Sequence, residues 1–216
     1  MTELEKILND FAATGLSEQE RQAIIDGGTP EIFKTIAKEI LCGRFAVTSG
    51  GSTVFIVPTA VELYYHEEEA DGIKDNIVYH RGTVKGQLKP KFEIGILHEH
   101  YSGIDITFEY TANGRTCRAS ALIREFRVIN GNSDDIFQIK SPEGRCTYFP
   151  KVLVSQFSIF QGFSIKWEDH IDSSSVALAI PAKRVGVKKD DNRGIDEKQA
   201  LRKWHFSLSE TTIAQS

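Results

Sequence analysis

An α+β domain, with a curved and mainly antiparallel sheet flanked by helices, is predicted by three features of the sequence. Apolar residues recur at helical spacing in the N-terminal stretch, within residues 3–41. After Gly43 the pattern changes to period-two alternation, and Gly-containing pairs such as Gly50-Gly51, Ser102-Gly103 and Asn113-Gly114 separate the alternating runs. Tight turns of this kind join antiparallel neighbours. The third feature is size: 216 residues with 40% hydrophobic side chains suffice for one full core, and no linker or repeat divides them.

Residues 3–12 and 17–26 are predicted helices, the second opened by Ser17 with Glu20 three residues later in a capping-box pattern. After GGTP, the apolar set Ile32, Phe33, Ile36, Ala37, Ile40 and Leu41 predicts a helix over 30–41 that ends at Gly43. FAVTS, TVFIVP and AVELYY then read as successive strands, followed by KFEIGILHEHY, GIDITFEY and ASALIREFRVI. In GIDITFEY, Ile104, Ile106 and Phe108 face one way while Asp105, Thr107 and Glu109 face the other, which predicts a half-exposed strand. PKVLVSQFSIF opens with a proline suited to the first turn of a helix, and VALAIP and RKWHFSL are predicted late strands. The expected organisation is an N-terminal helical segment over 1–29, an α+β domain over 30–210 and a tail over 211–216.

No apolar run is long enough to span a bilayer, and MTELEKILNDFAATGL lacks the basic and apolar regions of a signal peptide. A soluble, cytoplasmic protein is expected, with no membrane partner, and no protein partner is inferred. Cys42, Cys117 and Cys146 have no metal-type spacing and are odd in number, so buried thiols are expected rather than disulfides. The net charge of −4 opposes broad affinity for nucleic acid, which rests on a basic surplus. Two segments run against that balance, KGQLKPK with Lys85, Lys89 and Lys91, and PAKRVGVKKDDNR with Lys188 and Lys189. They are the expected contacts to a phosphate backbone, if solvated loops are not their whole role.

Strand alternation in AVELYY places Glu62 and Tyr64 on one face, fixing a carboxylate beside a phenol on a rigid element. A glutamate on a solvated edge strand would show the same pattern. Four of the six histidines lie between 66 and 100, and His98 and His100 share a strand face as two imidazoles on one metal would. Glu62, His66, His80 and Asp105 are further donors, but in no metal-binding spacing, so no metal is predicted. No cofactor is predicted either, since no glycine-rich phosphate loop follows a strand and no nucleophile elbow is visible.

Taken in order, IAKEILCGRFAV, the Glu62-Leu63-Tyr64 strand, GILHEHYSGIDITFE, ALIREFRV, FPKVLVSQFSI, RVGV and RKWHFSL resemble the framework of the alkyladenine type of 3-methyladenine DNA glycosylases. The resemblance runs from about residue 32 to 208. It implies that family's fold and hydrolysis of the N-glycosidic bond of a damaged, alkylated purine, flipped out of DNA and stacked between rings. It further implies Glu62 as the base that activates water, Tyr64 and His80 as pocket walls, His98 or His100 as a further stacking group and Arg124 as a support. The family's minor-groove wedge falls at Ser102, with Tyr101 available if the turn shifts by one residue, and its pocket asparagine falls at Glu109. The Glu67–Asp75 stretch is longer and more acidic than the family pattern and is expected to repel nearby phosphates. Partners consistent with this reading are damaged DNA or a purine-containing small molecule. Two rivals remain: a non-catalytic protein that binds a nucleobase-like or other small ligand on the same fold, and a metal-dependent hydrolase using His98 and His100.

Overall fold

A computed structural model describes residues 2–49, 51–78, 81–100, 103–130, 136–139 and 164–209. Three helices open the chain: α1 (Glu3–Thr14), α2 (Glu18–Ile25) and α3 (Glu31–Cys42). Each of the first two starts from a reciprocal capping box, Thr2 with Glu5 and Ser17 with Glu20, which satisfies backbone donors that a helix start leaves unpaired. The strands are β1 (Gly43–Ser49), β2 (Ser52–Glu67), β3 (Thr83–Val84), β4 (Gln87–Leu88), β5 (Leu97–His100), β6 (Gly103–Thr107), β7 (Tyr110–Ala112), β8 (Arg115–Asn130), β9 (Ile136–Ile139), β10 (Ser164–Asp169) and β11 (His205–Ser207). Among the described residues every strand pairing is antiparallel.

Two long strands form the spine. β2 and β8, 16 residues each, pair from Val54↔Asn130 to Glu67↔Cys117, and the sheet spreads outward in the order β10-β1-β2-β8-β6-β5. β1 and β11 both pair with β2, at its first and second halves respectively. The β2–β8 register breaks at Pro58/Ala60 and again at Ala60/Val61, leaving Thr59 and Arg124 without a Cα partner in the ladder. Proline cannot donate to a ladder, so a break beside Pro58 follows from its chemistry, and breaks of this kind re-aim neighbouring side chains.

TVFIVP and AVELYY are therefore one bent strand rather than two. The predicted strand from Lys91 is strand only over Leu97–His100, because the chain turns at Gly95, whose φ of 74° lies in the left-handed region. VALAIP forms one isolated bridge at Leu178, with another just beyond it at Ala182, instead of a strand, and β10 was not expected at all. The predicted helix at PKVLVSQFSIF, the tail and Cys146 fall outside the described residues, as does Gly50 of the predicted turn.

One face of the sheet is apolar and packs against the helices. Val61, Leu63 and Tyr65 of β2, Ala119, Ala121 and Ile123 of β8, and Ile104 and Ile106 of β6 meet Phe33, Ile36, Ala37 and Ile40 of α3 in a single core. Leu4, Leu8 and Phe11 of α1 and Ile24 of α2 belong to that same core. Gly43 is dictated by close approach: a Cβ there would lie 2.0 Å from the Trp167 ring, which itself stacks edge-on to Phe45.

The opposite face overturns the expectation of a half-exposed strand. Asp105, Thr107 and Glu109 are buried as deeply as the apolar residues between them. A sheet with both faces covered must pair every charge on its polar side, because an unpaired buried ion is costly. That requirement builds the site.

If α1 is part of the core, Leu8→Ala lowers unfolding free energy by about 2–5 kcal/mol. Urea denaturation of both proteins measures it, and a cost near zero would make the N-terminal segment an appendage.

Candidate functional site

The polar face is a lattice of ionisable groups laid out by strand register. One row runs across five strands: His98 opposite Asp105, Asp105 opposite Leu122, Leu122 opposite Glu62, and Glu62 opposite His205. A second row sets Thr107, Ser120 and Tyr64 side by side. Glu62 is 0% exposed and stands at the centre of the best-defined cluster. Tyr64 Oη donates to its Oε2 at 2.7 Å, the Val185 backbone N–H donates to Oε1, and His205 Nδ1 lies 3.1 Å from Oε1. Arg124, displaced at the register break, brings Nε to 3.6 Å from the same oxygen.

Burial alone would raise the Glu62 pKa. The His205 hydrogen bond, the Arg124 charge, the Val185 N–H and the Tyr64 hydroxyl together outweigh it and hold the carboxyl below the usual glutamate value. Tyr64 is shifted in the opposite sense, well upward, by burial and by the neighbouring Glu62 charge, so it keeps its proton and donates. Because an ionised carboxylate only accepts, His205 Nδ1 must carry the hydrogen in their contact. His205 is the partly open member of the pair, with 17% of its side chain exposed.

Behind this cluster lies a second one. Asp75, 0% exposed, receives Arg184 through both guanidinium ends, at 2.6 and 3.2 Å, and its other neighbour Arg202 approaches to 3.8 Å. One carboxylate thus faces two arginines. The surplus positive charge lies against aromatic faces: both guanidinium groups sit over the Trp204 ring, at 5.0 and 4.6 Å, and Arg184 also over Tyr64 at 5.0 Å. Tyr64 therefore joins the two clusters.

The acidic stretch after β2 is not a solvated charge run. Glu67 accepts from Arg21, Tyr65 Oη, the Ile73 N–H and Arg115, while Asp71 pairs with Arg115 at 3.0 Å. Glu68 pairs with Arg118 at 3.2 Å. These carboxylates are turned toward arginines, so the expected repulsion of phosphates is largely neutralised within the fold. Arg118 also holds Glu109 at 2.9 Å, and the Phe92 N–H donates to the same carboxylate. The charge at Glu109, where the resemblance puts a pocket asparagine, is compensated.

The structure brings together three of the sequence-predicted residues, Glu62, Tyr64 and Arg124. His98 lies farther along the row with its ring edge-on to Phe92 at 4.4 Å. His80, Tyr101 and Ser102 fall outside the described residues, and of His100 only the backbone, opposite Gly103, is described. Among the described residues no group of three His, Cys, Asp or Glu side chains is placed to hold a metal. Of the lysines, Lys85 occupies a tight turn at φ 53°, Lys91 donates to Thr111, Lys189 pairs with Asp191 at 3.3 Å, and Lys188 is exposed; the Lys89 carbonyl accepts from Arg118. Cys42 and Cys117 are buried, and burial pushes the Cys42 thiol up to about 12, so neither is a nucleophile at neutral pH. His205, the Val185 N–H, Asp75 and Arg184 were not anticipated; the one available signal was that RKWHFSL alternates, setting His205 opposite Trp204 and Phe206. No described helix is long and apolar enough to cross a membrane. No protein-family model and no curated protein matches the chain.

His66, also on the polar face, accepts from the Asp75 N–H through Nδ1, and burial together with Arg81 and Lys74 lowers its pKa to about 4. A group depressed on folding adds stability above its unfolded value of about 6.5 and loses it as pH falls through the folded value. Stability is therefore expected to drop between pH 6.5 and 4 by up to about 3 kcal/mol, and His66→Gln should flatten that interval. Denaturant melts at several pH values check it; an unchanged slope in the variant would contradict it.

Proposed function

We propose that the polar face carries out hydrolysis of a purine-type N-glycosidic bond, on a fold of the alkyladenine glycosylase kind. The observation that carries the reading is the ionised Glu62 carboxylate, locked in position by four donors or charges that include Tyr64 and Arg124. Those are the residues that the sequence resemblance assigns to such a site. Breaking the bond between C1′ and the base nitrogen leaves positive charge on the sugar, and a fixed anion in a water-poor site stabilises that charge. The depressed pKa makes Glu62 a weak proton acceptor and a durable anion, so the electrostatic part of the role suits it best. Tyr64 supplies a ring for the base, with its hydroxyl tied to the carboxylate.

One observation favours a second reading, a binding protein without catalysis: both Glu62 oxygens are engaged and none of the side chain reaches solvent. A net charge of −4 points the same way for long nucleic acid and favours a short or monomeric ligand over duplex DNA. Lys85, Lys89, Lys91, Lys188 and Lys189 are the candidate phosphate contacts if DNA is the substrate.

Release of free base from alkylated DNA and from purine nucleosides separates these readings. Glu62→Gln should fold and bind yet lose about 10²–10⁴-fold in rate, and Tyr64→Ala should weaken binding by about 1–3 kcal/mol. Activity on DNA alone, lost steeply with added salt and with Lys188→Glu and Lys189→Glu, would identify the polymer as substrate. Wild-type protein inactive on every substrate would leave the binding reading, and equal rates in wild type and Glu62→Gln would remove Glu62 from the chemistry.

A further inference from the structure

We infer that His205 is the proton-transfer group of this face and that Glu62 is the residue that orients it. The inference rests on the reading of the polar face as a hydrolytic site and changes its division of labour. Strand pairing sets His205 directly opposite Glu62, and the β11 backbone is fixed on its other side by paired hydrogen bonds with Ala182 at 2.9 and 3.0 Å. The imidazole is therefore held at both the main chain and Nδ1. Its Nδ1–H points into a wholly buried carboxylate, which leaves Nε2 directed away from that contact, on the one side chain of the pair that solvent reaches. A histidine with one nitrogen anchored to a buried carboxylate and the other free to exchange a proton is the arrangement that general acid–base chemistry requires.

The alternatives within the cluster are weaker. Glu62 has no exposed surface and both its oxygens accept hydrogen bonds, so water has no unoccupied approach to it. Tyr64 keeps its proton and spends it on Glu62. Arg124, with its charge fixed, supplies attraction but no proton acceptor.

The step balances with water as the only co-reactant. The water oxygen forms the bond to C1′, and its proton passes to neutral His205 Nε2. The C1′–N bond breaks, and its electron pair leaves with the base. A cationic alkylated purine departs neutral. The imidazolium that forms is stabilised by Glu62 and then returns the proton to solvent. The imidazole meets Glu62 Oε1, the same oxygen that Arg124 approaches and the Val185 N–H donates to, while Tyr64 holds the other oxygen of that carboxylate.

Two substitutions separate orientation from proton transfer. His205→Asn retains an N–H near the Nδ1 position for Glu62 but has no Nε2; His205→Gln does the reverse. In the base-release assay, His205→Asn should lower kcat about 10²–10⁴-fold with little change in KM. Nitrogen-15 NMR of the unliganded protein gives a readout that needs no substrate: the Nδ1–H tautomer is expected in wild type and its preference should be lost in Glu62→Gln. Base release by wild type that is unchanged in His205→Asn would overturn the inference while leaving the hydrolase reading standing. No base release from any substrate would overturn the hydrolase reading, and the NMR result then decides the pair by itself: an Nε2–H tautomer ends it.

Discussion

The carboxylate of Glu62, buried without solvent contact yet held in its charged form, is the constraint around which the polar half of the molecule is arranged. Taking such a group out of water costs several kcal/mol unless its surroundings replace the lost hydration. Here the replacement comes from four separate parts of the chain: Tyr64 from β2 itself, Arg124 from the break in β8, the Val185 N–H from the segment after the bridges, and His205 from β11. Each of those parts is located by the need to meet one charge. The result ties the late third of the sequence to the strand that forms the sheet's centre.

The same logic extends outward. Asp75 and its two arginines, Glu67 with Arg21 and Arg115, and Glu109 with Arg118 repeat the pattern of a carboxylate closed off by guanidinium groups. Buried ion pairs of this kind are weak sources of net stability, and replacing them with apolar residues is often neutral or favourable. The Asp75 and Glu109 clusters lie on the polar side, whereas Glu67 shares the helix-packed face with Tyr65; the gathering of charge on the polar face is better explained by what that face does than by what holds it together. The opposite face, filled by Val61, Leu63, Tyr65, Ala121 and the apolar sides of α1 and α3, supplies the hydrophobic stabilisation that folding requires.

Much of this was legible in the sequence because it depends on local periodicity. Helix starts followed from capping residues such as Ser17 and Glu20, and the change from helix to sheet at Gly43 followed from the change of period. The Glu62–Tyr64 pair was visible because two residues apart on a strand share a face. What escaped depends on long-range register. His205 meets Glu62 across 143 residues and Arg184 meets Asp75 across 109, and no local signal states which strand β11 will join. Burial of Asp105 and Glu109 escaped for a related reason: alternation predicts which side a residue faces, but not whether that side is covered. The acidic stretch misled because its partners, Arg21, Arg115 and Arg118, lie on other elements.

Everything proposed for the face requires that Glu62 be an anion at neutral pH inside the folded protein. Carbon-13 NMR of the glutamate side-chain carboxyl, assigned through loss of the signal in Glu62→Gln, measures this directly in a pH titration. The account predicts that Glu62 stays ionised to pH values below the ordinary glutamate value of about 4.3. A carboxyl that takes up its proton at or above that value would show that burial outweighs Tyr64, Val185, His205 and Arg124, and would contradict the account.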